Sequence, residues 1–192
     1  MAAKKSTTEK KIYQLKISLR GITPPIWRRI HVPSDTRLST LHPIIQVVMG
    51  WTNSHMHQFK VGKTYYGETY PDDVDGMPET RDERKSRLEE LVSRPRAKFV
   101  YEYDFGDSWE HEIALEKILP AEAGVKYPVC LEGHRACPPE DCGGVWGYVD
   151  LLTVLQDEEH PEHEEMTEWL GEEFDPEAFR LAEINAALTR IR

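Results

Sequence analysis

Apolar and polar residues alternate along residues 11–20, and this period of two is typical of a β-strand with one buried face. Tyr13, Leu15, Ile17 and Leu19 form the apolar side of the alternation. Five further segments between turn-forming residues share the composition of strands: residues 26–32, 56–61, 63–66, 98–103 and 109–118. Because the chain shows no regular alternation of strand and helix, the sequence predicts antiparallel or mixed pairing rather than a parallel sheet.

Helical spacing of apolar residues is found mainly in the last third of the chain. It predicts a helix over residues 148–156, a short one that ends near residue 170, and a last one with Asp175 as N-cap. One earlier helix is predicted over residues 41–48, with Ser39 as its N-cap. Strands followed by helices are typical of the α+β class.

The composition agrees with one globular domain. At 192 residues, with 39% hydrophobic and 30% charged residues, the chain can bury one sizeable core. We therefore expect an α+β fold in which residues 11–192 form a single domain, with a mixed or antiparallel sheet, packed helices and a helical C-terminus. Residues 1–10 are expected to be a disordered basic tail. No apolar run approaches the roughly 18 residues of a membrane span, and no signal peptide is evident, so we expect a cytoplasmic protein.

Charge is unevenly distributed along the chain. Residues 1–60 carry ten Lys and Arg against two Asp and Glu, whereas residues 61–192 carry fourteen against thirty-two. Four arginines in the basic part could form a face that binds nucleic acid: Arg20, Arg28, Arg29 and Arg37. No recognised nucleic-acid motif accompanies them, and a solvated strand face is the alternative.

The three cysteines of the chain, Cys130, Cys137 and Cys142, lie within thirteen residues. Three thiolates and one imidazole would form a closed tetrahedral zinc site, with His111 as the fourth ligand or His134 in its place. The spacing is not the tight pair of cysteines found in most zinc modules. Free cysteines that pack a loop are the first alternative, and a redox role is the second. A lone histidine on a strand is also often a satisfied core residue.

Two acidic pairs lie at predicted loops. Asp104 and Asp107 follow the strand of residues 98–103, and Glu140 and Asp141 belong to the cysteine segment. If they converge, these catalytic candidates could hold Mg²⁺ or Mn²⁺ for phosphoester chemistry. The alternative is that Asp serves only as a turn former.

His55 and His57 lie two residues apart, so on a strand they would share a face and could act together as ligands. Packing of the loop around Trp51 is the alternative.

Five stretches of the chain together resemble the plasmid pRiA4b ORF-3-like family. They are YQLKISLRGITPPIWRRIHVP (residues 13–33), LSTLHPIIQVVMGWTNSHMHQF (38–59), FVYEYDFGDSWEHEI (99–113), residues 130–152 with their ACPPEDCGG core, and EWLGEEFDPEAF (168–179). The resemblance implies a small α+β protein of a family associated with plasmids and other mobile elements. It supplies no catalytic residues, and it implies ACPPEDCGG as the best candidate for a functional or structural centre.

A resolvase-like role, which labels on some relatives imply, does not fit these residues. A serine recombinase needs a nucleophilic serine among arginines and a basic DNA-binding part. Ser18 and Arg20 lie in an alternating strand, and the C-terminal half is acidic.

No nucleotide-binding loop, nucleophile elbow or helical metalloprotease motif is present in the sequence. The sequence therefore favours a non-enzymatic interaction or accessory module with an unknown protein partner. A metal-dependent phosphoester hydrolase that uses the acidic residues is the alternative, and nucleic-acid binding is a further one.

Overall fold

A computed structural model of the protein describes residues 10–69, 80–171 and 174–191. The predicted basic tail, apart from Lys10, lies outside the described residues. The strands are β1 (Lys11–Leu19), β2 (Trp27–Pro33), β3 (His57–Val61), β4 (Thr64–Gly67), β5 (Thr80–Asp82), β6 (Lys98–Tyr103), β7 (Trp109–Pro120) and β8 (Val129–His134). The α-helices are α1 (Leu38–Met49), α2 (Leu88–Leu91), α3 (Gly144–Gln156), α4 (His163–Leu170) and α5 (Leu181–Leu188). Among these residues, no helix is long and apolar enough to cross a membrane.

The eight strands form one sheet in the order β5-β4-β3-β6-β7-β1-β2-β8. The pairs are antiparallel except β4 with β5, which run parallel. The predicted α+β fold with a mixed sheet is therefore confirmed. The longest strands, β1 and β7, pair at the centre, where the alternation of residues 11–20 indicated a half-buried strand.

The main core lies between one face of the sheet and α1. Burial alternates along β6 and β7, so that Tyr101, Tyr103 and Trp109 are fully buried on this face. Leu41 and Val48 of α1 belong to the same hydrophobic cluster. The opposite face of β7 is polar, as its alternation predicts.

Helix α5 covers the edge strand β8. The Asn185 side chain accepts a hydrogen bond from the Cys130 backbone N–H over 2.8 Å and donates one to the Cys130 carbonyl over 2.9 Å. An edge strand exposes unpaired backbone groups, and this amide satisfies one donor and one acceptor of β8.

Helix boundaries differ from those expected at two places. Helix α1 begins at Leu38 after an extended Arg37, and not after Ser39, because the Leu38 N–H donates to the Ser86 carbonyl and Arg37 bridges to Arg87. The expected helix start at Asp175 is a turn, in which the Asp175 carboxylate accepts the Glu177 N–H. Helix α5 begins only at Leu181. A contact between distant segments thus fixes the start of α1, whereas a local turn delays the start of α5.

Candidate metal centre

Three loops meet at one end of the central strands. They are the segment between α1 and β3, the turn between β6 and β7, and the segment that leads from β8 into α3. The first contributes His55, the second Asp104, and the third Glu140 and Asp141. Residues that lie far apart in the sequence thus converge on one point.

The imidazole of His55 faces three carboxylates. Its Nε2 atom lies 3.6 Å from Asp104 Oδ2, 3.8 Å from Glu140 Oε2 and 3.1 Å from Asp141 Oδ1. Among the described residues, His55, Asp104 and Asp141 are the one group of three whose ligand atoms all lie within 4.8 Å of one another. Donors about 2.0–2.3 Å from a shared ion are separated by roughly 3–4 Å, which matches this spacing.

Two of these facing atoms are buried without a hydrogen-bond partner. They are His55 Nε2 and Glu140 Oε2. Although Asp141 Oδ1 lies 3.1 Å from His55 Nε2, the pair does not have hydrogen-bond geometry. A buried polar atom without a partner is costly, and a bound cation would satisfy both atoms.

The oxygens that do not face His55 are held by neighbouring donors. Glu140 Oε1 accepts hydrogen bonds from the Thr52 N–H (2.7 Å), the Thr52 hydroxyl (2.9 Å) and the Tyr103 hydroxyl (3.1 Å). Asp104 Oδ1 accepts from the Gly106 N–H over 2.9 Å. Each of these carboxylates is therefore fixed by one oxygen and directs the other to the centre, as outer contacts do for metal ligands.

Tyr103 connects two of the candidate ligands. Its hydroxyl donates to Glu140 and accepts from the backbone N–H groups of Ser54 (2.9 Å) and His55 (3.3 Å). Burial, with a smaller contribution from Glu140, raises the pKa of Tyr103 to about 12, so the hydroxyl keeps its proton at neutral pH. One hydroxyl thus fixes both the loop of His55 and the carboxylate of Glu140.

Replacement of Tyr103 by Phe is expected to weaken binding of a divalent cation by about 10- to 100-fold, the usual cost of losing an outer contact. Isothermal titration with Mn²⁺ measures the affinity. Tyr13→Phe is a matched control, because it removes a single buried hydrogen bond, to the Val92 carbonyl, on another part of the fold. Equal Mn²⁺ affinities for the two variants would contradict a role of Tyr103 in the centre.

Backbone strain is concentrated at the same place. Asn53, Asp104 and Asp141 have positive φ angles of 58°, 58° and 57°. Such conformations cost free energy and persist only where surrounding contacts enforce them. Asn53 lies two residues before His55 and the other two are candidate ligands, so the strain marks the three loops that form the centre.

A buried hydrogen-bond ring holds Asn53 in this conformation. His42 Nε2 donates to Asn53 Oδ1 over 2.7 Å, and its Nδ1 accepts from the Tyr101 hydroxyl over 2.8 Å. Gln46 closes the ring, because it donates to the same hydroxyl (2.9 Å) and accepts the Asn53 N–H (2.8 Å). The ring needs a neutral imidazole, and burial lowers the pKa of His42 to about 4.

Stability should therefore decrease in mild acid. Burial lowers the pKa of both His42 and His111 from 6.5 to about 4, so these residues take up protons on unfolding. The two neutral imidazoles contribute fully to the free energy of unfolding above pH 6.5, and this contribution is lost as the pH falls through 4. The free energy of unfolding is expected to fall by up to about 1.4 kcal/mol per pH unit for each histidine.

Urea denaturation between neutral pH and pH 5 measures this slope. His42→Gln should have a smaller slope than the wild type, whereas His134→Gln, which alters an exposed residue, should not. A slope that is unchanged in His42→Gln would rule out its buried neutral imidazole as a cause.

The structure separates several residues that the sequence grouped together. Asp107 is not part of the group around His55, and its carboxylate accepts the Gly143 N–H over 3.1 Å. His57 does not pair with His55. It bonds to Glu83 over 2.9 Å and stacks on His42 with ring centroids 3.5 Å apart.

The predicted zinc ligands do not assemble. Within the described ranges, Cys130, Cys137 and Cys142 form no group of three ligand atoms with His111 or His134. His111 is a satisfied core residue, since its Nε2 accepts from Trp51 Nε1 and its Nδ1 faces the Tyr101 carbonyl. Burial raises the pKa of the Cys142 thiol to about 12 and that of Cys137 well above its ordinary value. These observations favour the alternative in which the thiols pack a loop.

The four arginines of the basic part are engaged within the fold. Arg20 pairs with Glu110 over 2.8 Å, and Arg29 pairs with Glu116 over 2.7 Å and with Glu132. Arg28 is buried and donates to three backbone carbonyls. Arg37 donates to the Arg84 carbonyl. Acidic neighbours thus offset the positive charge on the sheet, which weakens the argument for a nucleic-acid face.

The fold and the site define an α+β protein with a carboxylate-rich candidate metal centre at one end of a mixed sheet. The chain belongs to the plasmid pRiA4b ORF-3-like protein family, whose model matches residues 11–183. The family indicated by the sequence is therefore confirmed.

Two relatives support this assignment. The chain is 39% identical over 178 residues to "Uncharacterized protein y4hQ" of Sinorhizobium fredii (strain NBRC 101917 / NGR234), a match that covers 92% of this chain and 90% of the relative. It is also similar to the crystal structure of the protein of unknown function MM3350 from Methanosarcina mazei Go1. That similarity has a TM-score of 0.82 and 43% identity and covers 92% of this chain and 98% of the other.

Proposed function

We propose that the protein binds a divalent cation through His55, Asp104, Glu140 and Asp141, and that this centre supports metal-assisted hydrolysis. The observation that carries the proposal is the convergence of three carboxylate oxygens on His55 Nε2, two of the four atoms being buried without a hydrogen-bond partner. Three carboxylates that face one point repel one another, and a bound cation would offset this repulsion.

The ligand set favours Mn²⁺ or a later transition ion over Mg²⁺. Carboxylate oxygens suit Mg²⁺, Ca²⁺ and Mn²⁺, whereas imidazole suits transition ions. Three oxygens and one nitrogen therefore combine the preferences of both groups. A site without thiolates also differs from the cysteine zinc site predicted from the sequence.

One candidate ligand of the centre is exposed to solvent. Asp141 has an exposed fraction of 69% for its side chain, whereas Asp104 and Glu140 are largely buried. If a cation were bound, a water molecule and a substrate oxygen would approach it from the side of Asp141. A cation that lowers the pKa of bound water and polarises a substrate oxygen supplies the chemistry of phosphoester hydrolysis.

Equilibrium dialysis against Mn²⁺ and a hydrolysis assay with bis(p-nitrophenyl) phosphate test the two parts of the proposal. We expect one Mn²⁺ bound per chain and Mn²⁺-dependent hydrolysis, both lost in His55→Ala. His134→Gln is the matched control, because His134 was the alternative ligand of the cysteine site and lies outside this centre.

Each outcome separates the hypotheses. Mn²⁺ binding that persists in His55→Ala would overturn the centre, and a stoichiometric zinc ion lost only in His134→Gln would instead support the cysteine site. Binding without any hydrolysis would overturn the enzymatic part and leave a cation-binding protein.

A further inference from the structure

Helices α3 and α4 expose large apolar side chains that the candidate metal centre does not use. Trp146 is 81% exposed, Val149 43% and Trp169 48%. Trp146 and Val149 are three residues apart on α3 and therefore lie on one helical face. Exposed apolar side chains that together form a contiguous patch mark an interaction surface.

These side chains lie at one end of a helical hairpin. Helices α3 and α4 pack against each other and are joined by a six-residue connection, residues 157–162. The Tyr148 ring contacts the Phe174 ring, with centroids 6.4 Å apart, so the chain that leaves α4 returns beside the beginning of α3. Trp169, near the end of α4, is therefore at the same end of the hairpin as Trp146, which lies near the beginning of α3.

The surface around the hairpin is strongly acidic. Residues 136–179 contain fourteen Asp and Glu and no Lys or Arg. The glutamates of α4 and its N-cap are exposed; they are Glu162, Glu164, Glu165 and Glu168. Within the described residues, none of them forms an ion pair with Lys or Arg. On the sheet, by contrast, the carboxylates of β7 are paired with arginine or lysine.

We propose that the α3–α4 hairpin is the docking surface for a basic amphipathic segment of a partner protein. The apolar side of that segment would cover Trp146, Val149 and Trp169, and its Lys and Arg side chains would face the carboxylates of α4. Charge complementarity selects this occupant, since the same carboxylates repel nucleic acid and acidic peptides. Buried tryptophans commonly contribute most of the affinity of such interfaces. The proposal goes beyond the hydrolytic function and does not depend on it.

Fluorescence anisotropy with labelled synthetic peptides tests this surface. The probe is an amphipathic helix of about 18 residues that contains only Leu and Lys at helical spacing. The comparison peptides are a scrambled sequence of the same composition and an all-Lys peptide. We expect the amphipathic probe to bind more tightly than both. We also expect affinity to fall at least about tenfold in Trp146→Ala/Trp169→Ala, because truncating an interface anchor commonly costs that much.

Leu131→Ala serves as the matched control, because Leu131 is an exposed apolar residue on β8. The double variant must keep the thermal stability of the wild type, which its exposed positions allow. Equal binding of the all-Lys peptide, or an unchanged affinity in the double variant, would show attraction by charge alone and overturn the proposal. Tighter binding of duplex DNA in the same assay would also overturn it. Peptide binding that is retained in Asp104→Asn would show that this surface acts independently of the metal centre.

Discussion

Asp104→Asn is expected to abolish measurable binding of a divalent cation, with a loss of affinity of at least about 100-fold, more than the usual loss of an outer contact. Asp104 Oδ2 faces His55, while Oδ1 accepts the Gly106 N–H. In the variant, the amide oxygen can keep that hydrogen bond, and the NH₂ group then faces the ion. A hydrogen-bond donor thereby replaces the carboxylate oxygen that would bind the cation. Asn also tolerates the positive φ of this position.

The same substitution should leave the metal-free protein at least as stable as the wild type. It removes one of three mutually repelling carboxylates and keeps the turn. Isothermal titration with Mn²⁺ measures the affinity, and urea denaturation in a chelating buffer measures the stability. Glu110→Gln is the control, because it alters an exposed carboxylate that pairs with Arg20 outside the centre. Normal Mn²⁺ affinity in Asp104→Asn would contradict the assignment of this residue as a ligand.

Gly144→Ala is expected to be the most destabilising of the variants named. Gly144 has a φ of +70°, and a Cβ atom there would lie 2.6 Å from the Asp107 carbonyl oxygen. The left-handed conformation costs about 1–2 kcal/mol for a residue with Cβ, and forcing an atom into a packed position adds about 1–3 kcal/mol. Since the obstacle is backbone, relief requires a shift of the turn that carries Asp104.

Gly171→Ala separates the two contributions. Gly171 has a φ of +69°, and a Cβ atom there would meet nothing within 4 Å. It should therefore show the cost of the left-handed backbone alone. Urea denaturation gives both free energies of unfolding, and the difference between them measures the contact of α3 with the turn. If both variants lose equal stability, this close contact does not contribute. Gly144→Ala should also bind Mn²⁺ more weakly, because both sides of the contact carry ligands.

The sequence predicted most of the sheet because its signals are local. Alternation identified β1, β6 and β7, and the class followed from the order of strands and helices. The sequence did not reveal β8, since Val129–His134 has no clear alternation and is stabilised by pairing with β2 and by Asn185 of α5. The start of α5 was also missed, because the Asp175-Pro176 pair forms a turn.

The candidate centre was predicted only in part. Three of the four acidic candidates converge, whereas Asp107 binds the Gly143 backbone instead. His55 was a candidate because it lies two residues from His57, which predicted that the two histidines act together as ligands. In the structure they do not belong to one site. No sequence signal joins His55 to Asp141, because the two meet only when the loop after α1 and the segment before α3 are brought to the same end of the sheet.

By itself, then, the sequence determined the fold class, the family and the residue types available for chemistry, because periodicity, turn residues and extended motifs are properties of neighbouring positions. Only the tertiary structure decided which of those residues act together. It brought His55 to three carboxylates, placed His111 in the core, paired the basic strand face with acidic neighbours, and left Trp146 and Trp169 exposed beside an acidic helix. Packing between distant segments sets these arrangements, and a single sequence does not specify such contacts locally.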